Sequence, residues 1–303
     1  MNLGIDRGTV LTKTTTFSMR SIVEEVKGYS DISGLEFSGE VLNIGQRQFI
    51  IGDKGNFATD MLKSKDECTK ILVYAAIVKS KPAANDKVNA VVGIPFGQYT
   101  LQKDEMVELI SSSSPIAYEY EGKTGKFTIN RVSVFPEGAG VYYAQGQSKY
   151  IGKRVLIVDI GGVSVDVALF DDKKLISYGS YPLGIMKLFS KMAKEINRIY
   201  QTEYTEWDMD ILLKRGITVD GQTVRKDFLD TIMNDHATTI DNRIRREFDV
   251  RAMDEVLLAG GGGELLHDAL YDHVPQAILV PNPVIANAIG FQNVAEVMYN
   301  EGN

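Results

Sequence analysis

The sequence predicts an α/β protein of two domains built on one plan, each with a mixed sheet. Three observations carry that prediction. A short apolar strand that ends in an acid and a glycine turn occurs twice, in residues 3–13 and 154–170. Brief β-branched runs of the kind that fill buried strands alternate with stretches of helical spacing. The 303 residues are also enough for two domains of ordinary size or one large one.

The hydrophobic share of 44% and charged share of 24% are those of a globular protein with a sizeable core. The net charge of −7 argues against a surface made mainly to grip nucleic acid, and Arg243, Arg245 and Arg246 read as a solvated helix face. Cys68 is the only cysteine, so no intramolecular disulfide can form and a reducing compartment suits the chain. It falls in an amphipathic stretch as a packing residue. No signal-peptide pattern appears, and no apolar run approaches the ~20 residues of a membrane span. A cytoplasmic location without membrane contact is expected.

Taken in order, the chain opens with GIDRGTVLTKT. Asp6 and Gly8 sit at the turn, and Val10, Leu11 and Thr12 begin a return strand that brings Lys13 back towards any anion held there. Arg7 stands beside the acid, where it would pair with phosphate or face solvent. Residues 14–60 read as short strands with turns at Gly28, Gly34, Gly39 and residues 53–55, the clearest strand being Gln48 to Ile51. Helical spacing follows over 65–79, then a buried strand at 89–95, a helix at 102–110 and a hairpin over 118–129. Pro136 and Glu137 precede Gly138, Ala139 and Gly140 and a helix. On its own Glu137 suits a helix N-terminus.

The second acid–glycine stretch is RVLIVDIGGVSVDVALF. Val155 to Val158 form its buried strand, Asp159 ends it, and Gly161 and Gly162 turn the chain back into Val165 to Phe170. Backbone N–H groups around such a turn can hold an anion, and a carboxylate at its lip suits a hydrated Mg²⁺. A strand at 175–181 follows, then helices from Gly184, over 208–215 and over 225–248. The strand 255–259 delivers GGGGELLHDAL. Each glycine weakens regular structure by roughly 0.5–1 kcal/mol relative to Ala. The run therefore predicts a glycine loop that lets a flat or phosphorylated ligand approach, with a helix dipole behind it. A strand at 278–280 and a helix at 285–299 close the chain.

No Walker sequence is present, and a glycine run after a late strand is not a dinucleotide fingerprint. The order of the segments instead resembles the actin, Hsp70 and sugar-kinase superfamily of ATPases. GIDRGTVLTKT resembles its first phosphate loop, VDIGGVSVDVAL its second, and VLLAGGGGELLHDAL its adenosine motif. FPEGAGVYYA and NPVIANAIGFQNV are similar to the two connecting segments. Within the superfamily the chain most resembles the ParM/StbA-type actin-like proteins of bacterial plasmids, and departs from them at Val163, where Thr or Gly is usual.

The resemblance implies an actin-like (ribonuclease H-like) pair of duplicated α/β domains with a nucleotide cleft between them. Domain I would take residues 1–154 and 286–303 with an insertion at about 28–85. Domain II would take 155–285 with an insertion at about 190–252. Asp6 and Asp159 would hold water ligands of Mg²⁺, and Lys13 would touch the β- and γ-phosphates. Gly8, Thr9, Gly161, Gly162 and Ser164 would cradle phosphate, while Glu137 would orient the attacking water. Gly260, Gly261, Gly262, Gly263 and Glu264 would flank the adenosine of ATP or ADP, with Lys191 and Glu195 on the nucleoside side. Asp166 would brace the hairpin.

The implied activity is ATP hydrolysis coupled to head-to-tail filament growth. The filament would drive plasmid segregation through a centromere-binding adaptor protein, without direct contact to DNA. A small-molecule kinase or a non-polymerising, Hsp70-like nucleotide switch are the alternatives. The first would need an acceptor pocket with a carboxylate base, and the second a peptide-binding domain.

Overall fold

The computed structural model describes residues 1–26, 39–52, 56–57, 62–223 and 227–300. The turns expected at Gly28, Gly34 and residues 53–55, and the helix start expected at Arg225, lie outside the described residues. The chain divides into two units, Met1–Lys149 with Ile285–Asn303, and Tyr150–Val284.

In chain order the first unit builds β1 (Asn2–Arg7), β2 (Leu11–Lys13), β3 (Ser18–Arg20), β4 (Ile22–Glu25), β5 (Glu40–Ile44), β6 (Arg47–Ile51) and β7 (Asn56–Phe57). It continues with α1 (Glu67–Lys79), β8 (Asp86–Ile94), α2 (Phe96–Ile110), β9 (Ile116–Tyr120), β10 (Lys123–Pro136) and α3 (Ala139–Ala144). The second unit has β11 (Arg154–Ile160), β12 (Val165–Asp171), β13 (Lys174–Tyr181), α4 (Ile185–Tyr200), α5 (Met209–Arg215), β14 (Thr218–Val219) and β15 (Gln222–Thr223). Then come α6 (Asp227–Arg245), β16 (Glu255–Ala259), α7 (Gly260–Tyr271) and β17 (Ala277–Leu279), before α8 (Ala286–Asn300) returns to the first unit.

The two sheets share a five-strand pattern. In the first unit the order β3-β2-β1-β8-β10 is antiparallel across β3, β2 and β1, then parallel from β1 to β8 and from β8 to β10. In the second, β13-β12-β11-β16-β17 is antiparallel across β13, β12 and β11, then parallel from β11 to β16 and β17. An antiparallel pair needs only a tight turn, whereas each parallel neighbour needs a crossover, and helices supply much of it. The first sheet then extends through β9, β5, β6, β4 and β7.

Burial explains why these runs are central strands. In β11, Val155, Leu156, Ile157, Val158 and Ile160 are all buried, as are Val88, Ala90, Val91, Val92 and Ile94 in β8. Faces covered on both sides read as continuous apolar runs rather than alternation. Helix α4 buries Leu188, Met192 and Ile196, four residues apart, on a face turned towards the second core. Of the arginines in α6, Arg243 pairs with Glu247 and stands 4.4 Å over the Tyr181 ring, while Arg245 pairs with Asp241.

The glycine run differs from expectation. No loop separates β16 from α7: the four glycines are the first turn of the helix itself. Gly260 makes the change of direction in one residue, with φ +79°. A Cβ on Gly260 would overlap the Ile160 carbonyl, and one on Gly262 would overlap the Ile160 side chain, so the turn packs directly on the end of β11.

Candidate functional site

Each unit presents one acid–glycine hairpin, and both follow the same register. Asp6 at the end of β1 lies opposite Lys13 of β2, seven residues on. Asp159 near the end of β11 lies opposite Asp166 of β12, again seven residues on. Directly opposed residues share a sheet face with their Cβ atoms roughly 5 Å apart, so each pair must interact. In the first hairpin the pair is an ion pair, Lys13 Nζ to Asp6 Oδ2 at 2.7 Å. In the second it is two carboxylates, 7% and 2% exposed. Ser164 donates its hydroxyl to Asp166 Oδ2 at 2.6 Å. That bond commits the Ser164 proton to Asp166, which leaves the backbone as the part of Ser164 able to donate to an anion.

The second turn is oriented by α4. The N–H groups of Gly184, Ile185 and Met186 bond to the carbonyls of Val163, Gly161 and Gly162 at 2.9–3.0 Å. These are the first N–H groups of a helix, which have no partner within it. Across a trans peptide the carbonyl and the next N–H point in opposite directions. With its carbonyls turned to α4, the turn therefore aims the N–H groups of Gly162, Val163 and Ser164 the other way, as an anion-binding nest requires. A Cβ on Gly184 would overlap the backbone of Gly162 and Val163, so only glycine allows this approach. Val163 contributes backbone here, and its departure from Thr or Gly leaves the nest intact.

Ser21 supports the first turn in the same sense. Its hydroxyl donates to the Gly8 carbonyl at 2.7 Å and its N–H to the Val10 carbonyl at 2.9 Å. Gly8, Thr9 and Val10 are partly exposed above it. Arg7 takes neither of its expected places. Strand alternation turns it away from Asp6, its side chain is fully buried, and Nη2 bonds Asp66 Oδ2 at 3.2 Å. Asp66 is the residue that caps α1, accepting from the Cys68 N–H. Burial and then the Asp66 carboxylate push the Cys68 thiol up to about 11, so it is a packing group rather than a nucleophile.

Glu137 is buried between the end of β10 and α3. Its N–H bonds the Ile94 carbonyl at 2.7 Å, and the next N–H, of Gly138, bonds Asn287 Oδ1 of α8 at 2.9 Å. Its carboxylate accepts from Lys63 Nζ at 3.0 Å. Lys63 went unnoticed in the sequence, because one lysine in a short 3₁₀ turn has no periodicity to mark it.

In the second unit Asp159 Oδ1 lies where a Cβ on Gly260 would fall, which joins the start of α7 to the hairpin. Gly261 and Glu264 are exposed on the outer face of α7, and a Cβ on Gly261 would meet nothing within 4 Å. Gly262 and Gly263 face inward. No side chain caps the helix, so its first turn offers N–H groups to an anion or polar ligand. On α4, Glu195 bonds Arg198, and Lys191 is exposed.

Among the described residues no group of three or more His, Cys, Asp or Glu side chains is gathered for direct metal ligation. No helix among them is long and apolar enough to cross a membrane.

A family model for the N-terminal domain of actin-like proteins matches residues 4–140, and one for the C-terminal domain of the archaeal MreB-like actin homologue matches residues 157–272. No curated protein matches the chain in sequence. Among solved structures, the archaeal actin homolog Ta0583 in complex with ADP matches with a TM-score of 0.81 at 20% identity, over 98% of this chain and 99% of that one. A ParM filament subunit from Clostridium botulinum matches with a TM-score of 0.80 at 19% identity, over the same shares. The Alp12 filament subunit follows at 0.69 and 18%, over 98% of each chain. At these identities the likeness is one of fold.

Proposed function

The chain belongs to the actin-like superfamily, and from that premise we propose that it binds Mg²⁺–ATP, hydrolyses it and assembles head-to-tail into filaments. The observation that carries the reading is the second turn, whose carbonyls are consumed by α4 while its N–H groups face the other way. That arrangement suits a phosphate chain.

The residues fit the implied groups. Two buried carboxylates lie opposed across β11 and β12, and a nearby cation would offset their charge. Asp6 and Asp159 would each hold water ligands of Mg²⁺. When bound, the metal offsets charge on the phosphate oxygens. Lys13 is already set by Asp6 and supplies a cation at the first loop. Gly8 and Thr9 would offer phosphate their backbone and hydroxyl groups, and Gly161, Gly162 and Ser164 chiefly their backbone. The open face of α7 at Gly261 and Glu264 would take the nucleoside. Glu137 would accept a hydrogen bond from the attacking water and orient it, a positioning role suited to phosphoryl transfer.

Assembly is supported by the filament subunits among its structural matches, ParM and Alp12. A heterologous contact that does not close on itself yields an open polymer. We place the filament in plasmid segregation, with an adaptor protein on centromere-like DNA as its partner.

The test is light scattering and pelleting at micromolar protein, with phosphate release followed in parallel. Mg²⁺–ATP should produce polymer, and Glu137→Ala should retain ATP binding while hydrolysis slows by about a hundredfold and polymer persists. Absence of polymer over a range of salt would overturn the filament reading. Loss of ATP binding in Glu137→Ala would remove Glu137 from its assigned role.

A further inference from the structure

Lys63 is a lysine whose side chain is 3% exposed. Its ammonium makes two contacts: Nζ donates to Glu137 Oε1 at 3.0 Å and to the backbone carbonyl of Arg7 at 2.9 Å. Arg7 lies between Asp6 and Gly8, so that carbonyl belongs to the lip of the first hairpin. One buried cation thus joins Glu137 to the turn that carries Asp6.

The turn holding Lys63 is itself fixed. It is a 3₁₀ turn over Lys63–Lys65. The N–H of Ser64 bonds Gln102 Oε1 at 3.1 Å, and the Ser64 hydroxyl bonds Glu105 Oε2 at 2.8 Å, both on α2. Immediately after it, Asp66 pairs with Arg7 at 3.2 Å. Residues 63–66 therefore grip the end of β1 twice, through the Arg7 carbonyl and through its guanidinium. Burying an ammonium is costly unless it is paired and hydrogen-bonded. A structural lysine could have met that cost with any carboxylate. Here the partner is the acid beside the β10–α3 junction, and the second acceptor is the hairpin.

We propose that Lys63 is a positioning residue for ATP hydrolysis: it fixes the direction of the Glu137 carboxylate relative to the first phosphate loop. The inference rests on the reading of Glu137 as the group that orients the attacking water. Lys63 touches neither nucleotide nor water in this account and acts through Glu137 alone. Misplacement of a catalytic group by about 1 Å is enough to cost a hundredfold in rate, so a fixed carboxylate is worth a buried charge.

A double-mutant cycle tests it with Lys63→Met, Glu137→Gln and the double variant, measured as kcat and KM for ATP together with the Kd for ADP. Lys63→Met should lower kcat at least tenfold while KM and the ADP Kd stay within about twofold. In the Glu137→Gln background the same substitution should lower kcat no further. Lys63→Gln, closer in polarity to the native side chain, serves where Lys63→Met does not fold, and should show the same pattern. An unchanged kcat, a fall of equal size in both backgrounds, or loss of ADP binding along with kcat would each overturn the inference. These outcomes separate from failure of the functional reading, in which Glu137→Gln alone would hydrolyse ATP at the wild-type rate.

Discussion

The two hairpins share the register about their acids and turns that open on glycine, yet differ in electrostatics. Asp6 faces Lys13, whereas Asp159 faces Asp166. The first is self-neutralising. The second sets two buried carboxylates opposite one another, one of which accepts the Ser164 hydroxyl. On the proposed function the two loops would have different tasks: the first would bring its own cation to a phosphate, and the second would take the metal. The supports differ as well. Behind the first turn stands Ser21, a neutral side chain, and behind the second stand three N–H groups of a helix.

The largest expected effect comes from disturbing the second support. Gly184→Ala places a methyl group in the backbone of Gly162 and Val163. It should cost about 3 kcal/mol by analogy with overpacking. It should also abolish ATP binding, as seen by a lower melting temperature and a flat titration. The next effect opposes the two acids. Asp6→Asn removes the charged partner of Lys13 and should destabilise the protein by about 2 kcal/mol. Asp159→Asn removes one of two opposed carboxylates and should leave stability equal or raised. Both should reduce hydrolysis, so denaturant melts beside phosphate-release assays separate stability from function. Equal destabilisation by both would erase the proposed contrast.

The smallest effect is on pH dependence. His236 Nε2 bonds the Leu183 carbonyl, next to Gly184. Burial, with help from Lys191 and Lys187, holds its folded pKa below the ordinary value of 6.5, although the Leu183 bond opposes the shift. The unfolded chain therefore takes up the proton first. The stabilising contribution is complete above pH 6.5 and is lost as pH falls below it. Melting temperature should decline from pH 7 towards pH 5, and His236→Gln should flatten that decline.

Much of this was legible because it is local. Apolar runs such as Val155–Val158 mark buried strands, and an acid followed by glycine marks where each turns. The Asp6–Lys13 and Asp159–Asp166 offsets are equal, so laying one hairpin on the other would have exposed the change of sign. Arg7 was misread although alternation alone puts it on the face opposite Asp6. The glycine run was read as a loop because glycine disfavours helix; contact with Ile160 at the end of β11 overrides that propensity. Lys63 was not legible. Its partner Glu137 is 74 residues away, and only the packing of the turn at 63–65 against α2 brings them together.

On the proposed function, the second hairpin would hold ATP phosphate together with a metal. The most direct measurement is the calorimetric Kd for ATP in Mg²⁺ and in EDTA, for the wild-type protein and for Asp159→Asn. The account predicts binding at least about tenfold tighter with Mg²⁺, a difference of about 1.4 kcal/mol, and a gap that closes in Asp159→Asn. Equal affinity with and without the metal, or a gap untouched by Asp159→Asn, would contradict it.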